Sequence, residues 1–341
     1  MSKKNSNVIL KSGFKNYKNL SEVYGVFKKK LETSKIKSSV VAVSGGPDSL
    51  ALVALAKAYS HEKNIKFYFV LINHNIRKDS LKEANKVKLL LKRHNITLNV
   101  LSNREKILNN IQSKARKIRY KMLSKFCLKK KTKSILTAHN LEDQVETFFI
   151  RLSRGSGLTG LSSMEKKTTI SNDIKLIRPL LDVKKINLIN ISKKIFGKYF
   201  KDPSNNDDKY LRTKIRALKK PLIASGINYE QIIKSINNLA SSKKILDNYL
   251  KEIMKNIAIK SKKEVLLNLS KFKILNNELK MRVLNESIKI LRRNYYNPRS
   301  KKVLSLVKNL SKKNFKKATL GGCIFLIKND QICLKKEKIV K

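Results

Sequence analysis

Acidic residues are scarce in this chain: 24 Asp and Glu stand against 78 Lys and Arg, a formal net charge of +54. An enzyme of small metabolites has no need of that excess, whose self-repulsion opposes compaction. A long polyanion relieves it, because each Lys or Arg that neutralises a phosphate releases counterions. Lys, Asn and Ile are abundant together, as under a coding bias that scatters lysines over any surface. The charge therefore favours a nucleic-acid partner without marking a groove. Cysteine is rarer still. Cys127, Cys323 and Cys333 make neither a metal-ligand spacing nor a disulfide framework. The four histidines, His61, His74, His94 and His139, are dispersed, which argues against structural zinc. No apolar run reaches eighteen residues, so no membrane span is expected. The opening MSKKNSNVILKSGFKNYKNL lacks the apolar core and cleavage site of a leader, which points to a cytoplasmic protein.

What is present is enough for a large core. Hydrophobic residues make up 41% of the 341 and charged residues 30%, a globular balance that suggests two or more units. The most informative stretch runs from Val41-Ala42-Val43 through Ser44-Gly45-Gly46-Pro47-Asp48-Ser49 into an apolar helix. A strand–loop–helix junction of this kind turns backbone N–H groups and a helix N-terminus toward an anion, usually phosphate. Glycines permit close approach, and the hydroxyls of Ser44 and Ser49 add donors. The loop lacks the lysine of a Walker A motif. It carries Asp48 instead, which repels phosphate unless a divalent cation lies between them. Asp48 is therefore the expected metal ligand, and Ser44, Gly45, Gly46, Asp48 and Ser49 the expected nucleotide contacts.

From Ser39 to Pro221 strand and helix patterns alternate, as in an α/β fold with a mostly parallel sheet flanked by helices. Strands are expected at 39–43, 66–72, 96–101, 133–138 and 174–178. Ligands of such sheets bind beyond the C-terminal strand ends, where the loop, His74 and His139 fall. Beyond Pro221 the character changes to a basic helix or helix pair over 228–260, a short strand at 264–269, helices at 275–293 and 299–312, and a β-hairpin within 319–334. The expected division is a basic N-terminal extension over 1–37, a catalytic domain over 38–222, and a smaller, mainly helical domain over 228–341 ending in the hairpin.

Three further groups surround the expected site. His139 and Asp143 lie four apart across the start of a helix, and Asp143 and Glu146 three apart, so they can share a face. Glu146 and Gln144 read equally well as N-terminal helix caps. Gln112, Arg116, Arg119 and Tyr120 form one helical stripe of donors suited to phosphate and ribose. Arg212 and Arg216 are i,i+4 partners that can clamp a substrate phosphate, orient a nucleotide or brace a domain junction. Arg154 precedes the flexible Gly155-Ser156-Gly157 turn beside the cleft.

The loop SGGPDS resembles that of the N-type ATP pyrophosphatases, which cleave ATP between its α and β phosphates. With TAHNLEDQVETFFIRLSRGSGLTGL (137–161), NIQSKARKIRY (110–120), IRPLL (177–181), DPSN (202–205) and YLRTKIR (210–216), the chain resembles the tRNA(Ile)-lysidine synthases. Its ending resembles their shorter members, without the large C-terminal module. The resemblance implies an adenine nucleotide α-hydrolase-like fold and lysine ligation to the wobble cytidine of an isoleucine tRNA with a CAU anticodon. ATP is the co-substrate and Mg²⁺ the cation. An adenylylated cytidine is the intermediate, and AMP and pyrophosphate are released. It implies catalytic roles for Asp48, His139, Asp143 and Arg116, a nucleotide contact for His74, and substrate contacts for Arg119, Arg154, Arg212 and Arg216. The partners implied are that tRNA and free L-lysine, with no membrane; a homodimer stays open. Four positions depart from the family pattern: Asn73 and Asn75 flank His74 where Asp and Gly are common, Glu142 replaces Asp, and Thr213 replaces Asn. A tRNA thiolation enzyme would need sulfur-handling cysteines, and a GMP-type synthetase an ammonia source. A plain RNA-binding protein would leave Asp48 without a purpose.

Overall fold

The computed structural model describes residues 3–12, 14–77, 79–105, 107, 109–170, 173–200, 211–261, 263–292, 298–312 and 314–337. They form two units, Met1–Ala240 and Ser241–Lys341.

The first unit is built on a six-stranded sheet: β1 (Ser38–Val43), β2 (Lys66–Asn73), β3 (Leu98–Ser102), β4 (Ser134–Leu136), β5 (Lys167–Thr169) and β6 (Lys175–Ile177). Their order is β3-β2-β1-β4-β6-β5, parallel throughout except for the edge strand β5. The β-branched residues of β1 are buried on both faces, as a central parallel strand requires. On one face pack the helices Pro47–Lys63, Ser80–Lys92 and Lys185–Phe196; on the other, Leu123, Phe126 and Cys127 of the helix Ile111–Lys129 cover Val40, Val70 and Ile135. The strand order reverses at β1, and the crevice between β1 and β4 is where such sheets bind ligands. All five expected strands and the helices between them are found, whereas β5 was missed: three residues are too few to show a period.

The segment 1–37 is not an extension. It folds as helices Lys3–Lys11 and Lys18–Ser34, and Val23, Phe27 and Leu31 are buried in the sheet's own core. Spaced four apart, they form a narrow stripe that the surrounding lysines mask in composition. The division also falls later than the change at Pro221. The helix Tyr229–Ile257 begins in the first unit, where Ile232 and Ile236 pack with Leu141 and Val145.

The second unit holds more strand than its sequence suggested. The expected hairpin, β10 (Cys323–Lys328) and β11 (Gln331–Lys336), turns through Asn329 and Asp330, both with positive φ as a tight primed turn demands. It is the centre of a five-stranded antiparallel sheet with β7 (Ala258–Lys260), β8 (Glu264–Asn268) and β9 (Ala318–Leu320), in the order β7-β8-β11-β10-β9. Val265, Leu267, Phe325, Ile332 and Leu334 alternate onto one face and are buried against the helices Leu269–Ile274, Asn277–Arg292 and Ser300–Leu310. Among the described residues no helix is long and apolar enough to cross a membrane.

Candidate active site

The loop after β1 is held open by its own hydroxyls. The Ser44 N–H donates to Ser49 Oγ at 3.1 Å, the two serine hydroxyls lie 3.1 Å apart, and Ser49 Oγ donates to the Gly46 carbonyl at 3.0 Å. Gly45 has φ +85°, and a Cβ there would stand 2.6 Å from Val87 Cγ2, so the position is closed to side chains on two counts. The Gly45 carbonyl accepts from the Phe200 N–H at 3.0 Å. Gly46 caps the following helix and Pro47 opens it, where a missing N–H costs nothing.

Asp48 sits in the first turn of that helix. Its Oδ1 is buried without a hydrogen-bond partner. Burial pushes the carboxyl up to about 6; Lys185 pulls it back, and Asp143 and Glu142 push it further. A hydrogen bond from the Asn140 side chain also lowers it, so this carboxylate shares its surroundings with two more, an amide, an ammonium and the Arg216 guanidinium. Among the described residues no three His, Cys, Asp or Glu side chains form a metal cage.

The second wall comes from β4. Thr137 Oγ1 lies 2.9 Å from His139 Nδ1, fixing the ring at the strand end. Asn140 then caps the helix Leu141–Leu152: its side chain accepts from the Asp143 N–H at 2.9 Å, and Asp143 Oδ2 accepts from the Asn140 N–H at 3.1 Å. The cap is this reciprocal pair, not Gln144 or Glu146. Gln144 instead exchanges two hydrogen bonds with the Met164 backbone, at 2.9 and 2.8 Å. Arg151 donates to the carbonyls of Gly160 and Ser163, so the helix grips the loop that follows it. Burial holds the His139 imidazole well below its ordinary range, Asp143 opposes that, and Arg178, Arg116 and Arg212 reinforce it. The ring is neutral at pH 7.

Glu146 is buried, and its carboxylate accepts a hydrogen bond from Arg216 Nε at 2.6 Å and pairs by charge alone with Arg212 Nε at 2.9 Å, which lacks hydrogen-bond alignment. The two arginines therefore project together, onto a carboxylate of their own unit. Glu142 Oε2 accepts from the Lys185 N–H at 2.8 Å, so the longer side chain ties two helix starts together. It also borders a surface cavity of about 310 Å³ that includes Tyr229, Lys219 and the Lys184–Glu230 ion pair.

Asp48, His139, Asp143, Arg116 and Arg212 thus share one electrostatic neighbourhood, with Arg216 felt through Glu146, Asp143 and Asp48. Arg116 rests its guanidinium 5.2 Å from the centre of the Tyr120 ring. His74 and Arg119 form a second group beyond β2: burial brings the imidazole down to about 4, and Arg119 adds to that. Arg154 is exposed on the gripped loop. DPSN and Tyr210 lie outside the described residues. Two members were missed in the sequence. Arg178, 2% exposed, donates to the Glu165 carbonyl and Thr168 Oγ1 at 2.6 and 2.9 Å. Lys185 carries a charge that acts on Asp48. The IRPLL motif pointed to Arg178 without a role, and nothing in the lysine-rich sequence singled out Lys185.

The model of the PP-loop domain matches residues 19–222. The tRNA(Ile)-lysidine synthase of Orientia tsutsugamushi (strain Boryong) is 39% identical over 191 residues, 55% of this chain and 42% of that protein. The one from Wolbachia pipientis wMel is 33% identical over 288 residues, 83% of this chain and 67% of that protein. Among solved structures, the U34-tRNA thiolase NcsA from Methanococcus maripaludis, with its 4Fe-4S cluster, superposes with a TM-score of 0.54 at 20% identity. That match covers 65% of this chain and 78% of the thiolase, a likeness of fold alone.

Proposed function

Since the chain belongs to the PP-loop family and, within it, to the tRNA(Ile)-lysidine synthases, we propose that it uses ATP to join L-lysine to C2 of the wobble cytidine in an isoleucine tRNA with a CAU anticodon. Asp48 carries this reading. A carboxylate with a buried, unpartnered oxygen, in the first helical turn behind a phosphate-type loop, suits a cation that arrives with a polyphosphate. Mg²⁺ suits that pairing, because it takes one or two carboxylates and completes its shell with substrate phosphates and water. Asp48 is the residue that would hold it, with Asp143 beside it. Bound there, the ion offsets charge on the departing pyrophosphate.

The chemistry runs in two displacements. The cytosine C2 oxygen attacks the α-phosphorus; a P–O bond forms, the α–β anhydride breaks and pyrophosphate leaves. The lysine ε-amine, having lost its proton, then attacks C2, the C2–O bond breaks and AMP departs. Arg116 faces the negative charge at the α-phosphate. His139, neutral and oriented by Thr137, contributes a hydrogen bond there rather than a charge. Asp143, one oxygen of which caps the helix, turns the other to the cytosine edge or the amine. Arg212 and Arg216, held by Glu146, are the candidates for the α-carboxylate of lysine. Arg119, Arg154 and the basic residues 228–341 take the tRNA, and the anticodon base must leave its stack to enter the cleft.

A thiolation reading fits less well, since the first unit's single cysteine, Cys127, is fully buried under β4 and donates to the Ser134 carbonyl at 3.7 Å. The deciding assay supplies ATP, Mg²⁺, labelled lysine and a CAU-anticodon isoleucine tRNA, with a wobble-base variant as control. Label should enter the first RNA alone. Equal label in both, or none in either, rejects the assignment.

A further inference from the structure

Three asparagines surround His74 in a closed set of hydrogen bonds. Asn73 Nδ2 donates to Asn75 Oδ1 at 2.7 Å, and the Asn75 N–H returns a bond to Asn73 Oδ1 at 3.1 Å. Asn75 Nδ2 donates to the Asn103 carbonyl at 2.7 Å, while the Asn103 N–H donates to the Asn73 carbonyl at 2.8 Å. The Asn103 side chain spans from the His74 carbonyl, at 3.5 Å, to the Glu105 carbonyl, at 2.6 Å, and accepts from the Glu105 N–H. Asn73 and Asn103 are 3% and 4% exposed. Asn75 holds φ +53°, a left-handed conformation that Asn tolerates through its short polar side chain. The ends of β2 and β3 are thereby locked on both sides of one residue, whose own ring makes no bond: both nitrogens of His74 are buried and unpartnered. Buried ring nitrogens left so, on a half-buried residue, are costly unless a ligand meets them. The ring stands beyond the end of β2, the strand next to β1 and its phosphate-type loop.

We propose that Asn73, Asn75 and Asn103 are positioning residues that hold His74 as a hydrogen-bonding group for the nucleoside part of ATP. This rests on the ATP-dependent reading above. The relay leaves the phosphates to residues 44–49, so nucleoside and polyphosphate binding are separable in this protein.

Two variants of the full chain test the relay. Asn75→Gly keeps the left-handed backbone while removing both side-chain bonds. Asn73→Asp sets an oxygen against Asn75 Oδ1 where an N–H now donates. Calorimetric titration should show ATP binding weakened about three- to ten-fold in each, the value of one neutral hydrogen bond, with inorganic tripolyphosphate bound as before. In a His74→Ala background, Asn75→Gly should add nothing, because it acts through the ring. Undiminished ATP binding by both variants overturns the relay, as does equal loss of ATP and tripolyphosphate or full additivity with His74→Ala. A wild-type chain that binds neither ligand would instead overturn the ATP-dependent reading itself.

Discussion

Replacing Gly45 by alanine tests the loop geometry most directly, because two separate penalties can be read from the structure. The first is conformational. At φ +85° an L-residue is strained by roughly 1–2 kcal/mol, which glycine avoids. The second is steric: the new Cβ would lie 2.6 Å from Val87 Cγ2, on a buried side chain of the helix Ser80–Lys92. Overpacking of this kind costs about 1–3 kcal/mol. The sum, about 2–5 kcal/mol, lowers the melting temperature of a unit of this size by several degrees, at about 2–4 °C per kcal/mol. ATP affinity should fall with it, since the neighbouring amides must turn to relieve the clash. Trimming the obstacle separates the two penalties. In the Gly45→Ala, Val87→Ala double variant the steric part should vanish while the dihedral part remains. The two substitutions should thus couple favourably by about 1–3 kcal/mol, as expected for atoms in contact. Thermal unfolding and ATP titration of the four proteins measure this. If Gly45→Ala melts and binds like the parent, or the two changes simply add, the loop does not have this geometry.

Much of this site was legible because its signals are local. The loop 44–49 writes a strand, a turn and a helix start into consecutive residues, and glycine at 45 is demanded by its own φ. His139 and Asp143 were singled out because a strand end and a helix start flank them. What escaped depends on contacts distant in sequence. Glu146 read as a helix cap because position in the first turns is all a sequence shows. Its partners Arg212 and Arg216 lie some seventy residues away, and a buried carboxylate recruits them whatever its place in the helix. Arg178 and Lys185 were two cations among 78, distinguished only by burial or by a charge that acts on Asp48. The same masking hid the N-terminal helices, whose apolar stripe is thin beside their lysines. It also hid the second sheet, because β7 and β9 are three-residue strands defined by pairing rather than by pattern.

Asp48→Asn should nearly abolish pyrophosphate formation while tRNA affinity stays near that of the parent. It should leave thermal stability unchanged or raised, since it removes a charge from a buried, unpartnered oxygen; pyrophosphate release at the parent rate would remove Asp48 from the site. Affinity for tRNA should fall steeply with salt: about six phosphate contacts give a log–log slope of roughly −4 to −5, and a flat titration would detach the +54 charge from RNA binding. The last expectation concerns acid. His74 is brought from 6.5 down to about 4 by burial and Arg119, so between those values the unfolded chain carries a proton that the folded chain refuses. The stability associated with the neutral ring is complete above pH 6.5 and is lost as the pH falls toward 4. At about 1.4 kcal/mol per unit, discounted because the residue is only partly buried, the loss is on the order of 2 kcal/mol. His139 and other groups add their own pH dependence, so the informative quantity is a difference. Urea unfolding at pH 7 and pH 5, on the parent and on His74→Gln, isolates it. The variant should lose less stability than the parent across that interval. Equal losses would mean that the His74 ring titrates in the folded protein much as it does in the unfolded chain, and that its nitrogens are open to water.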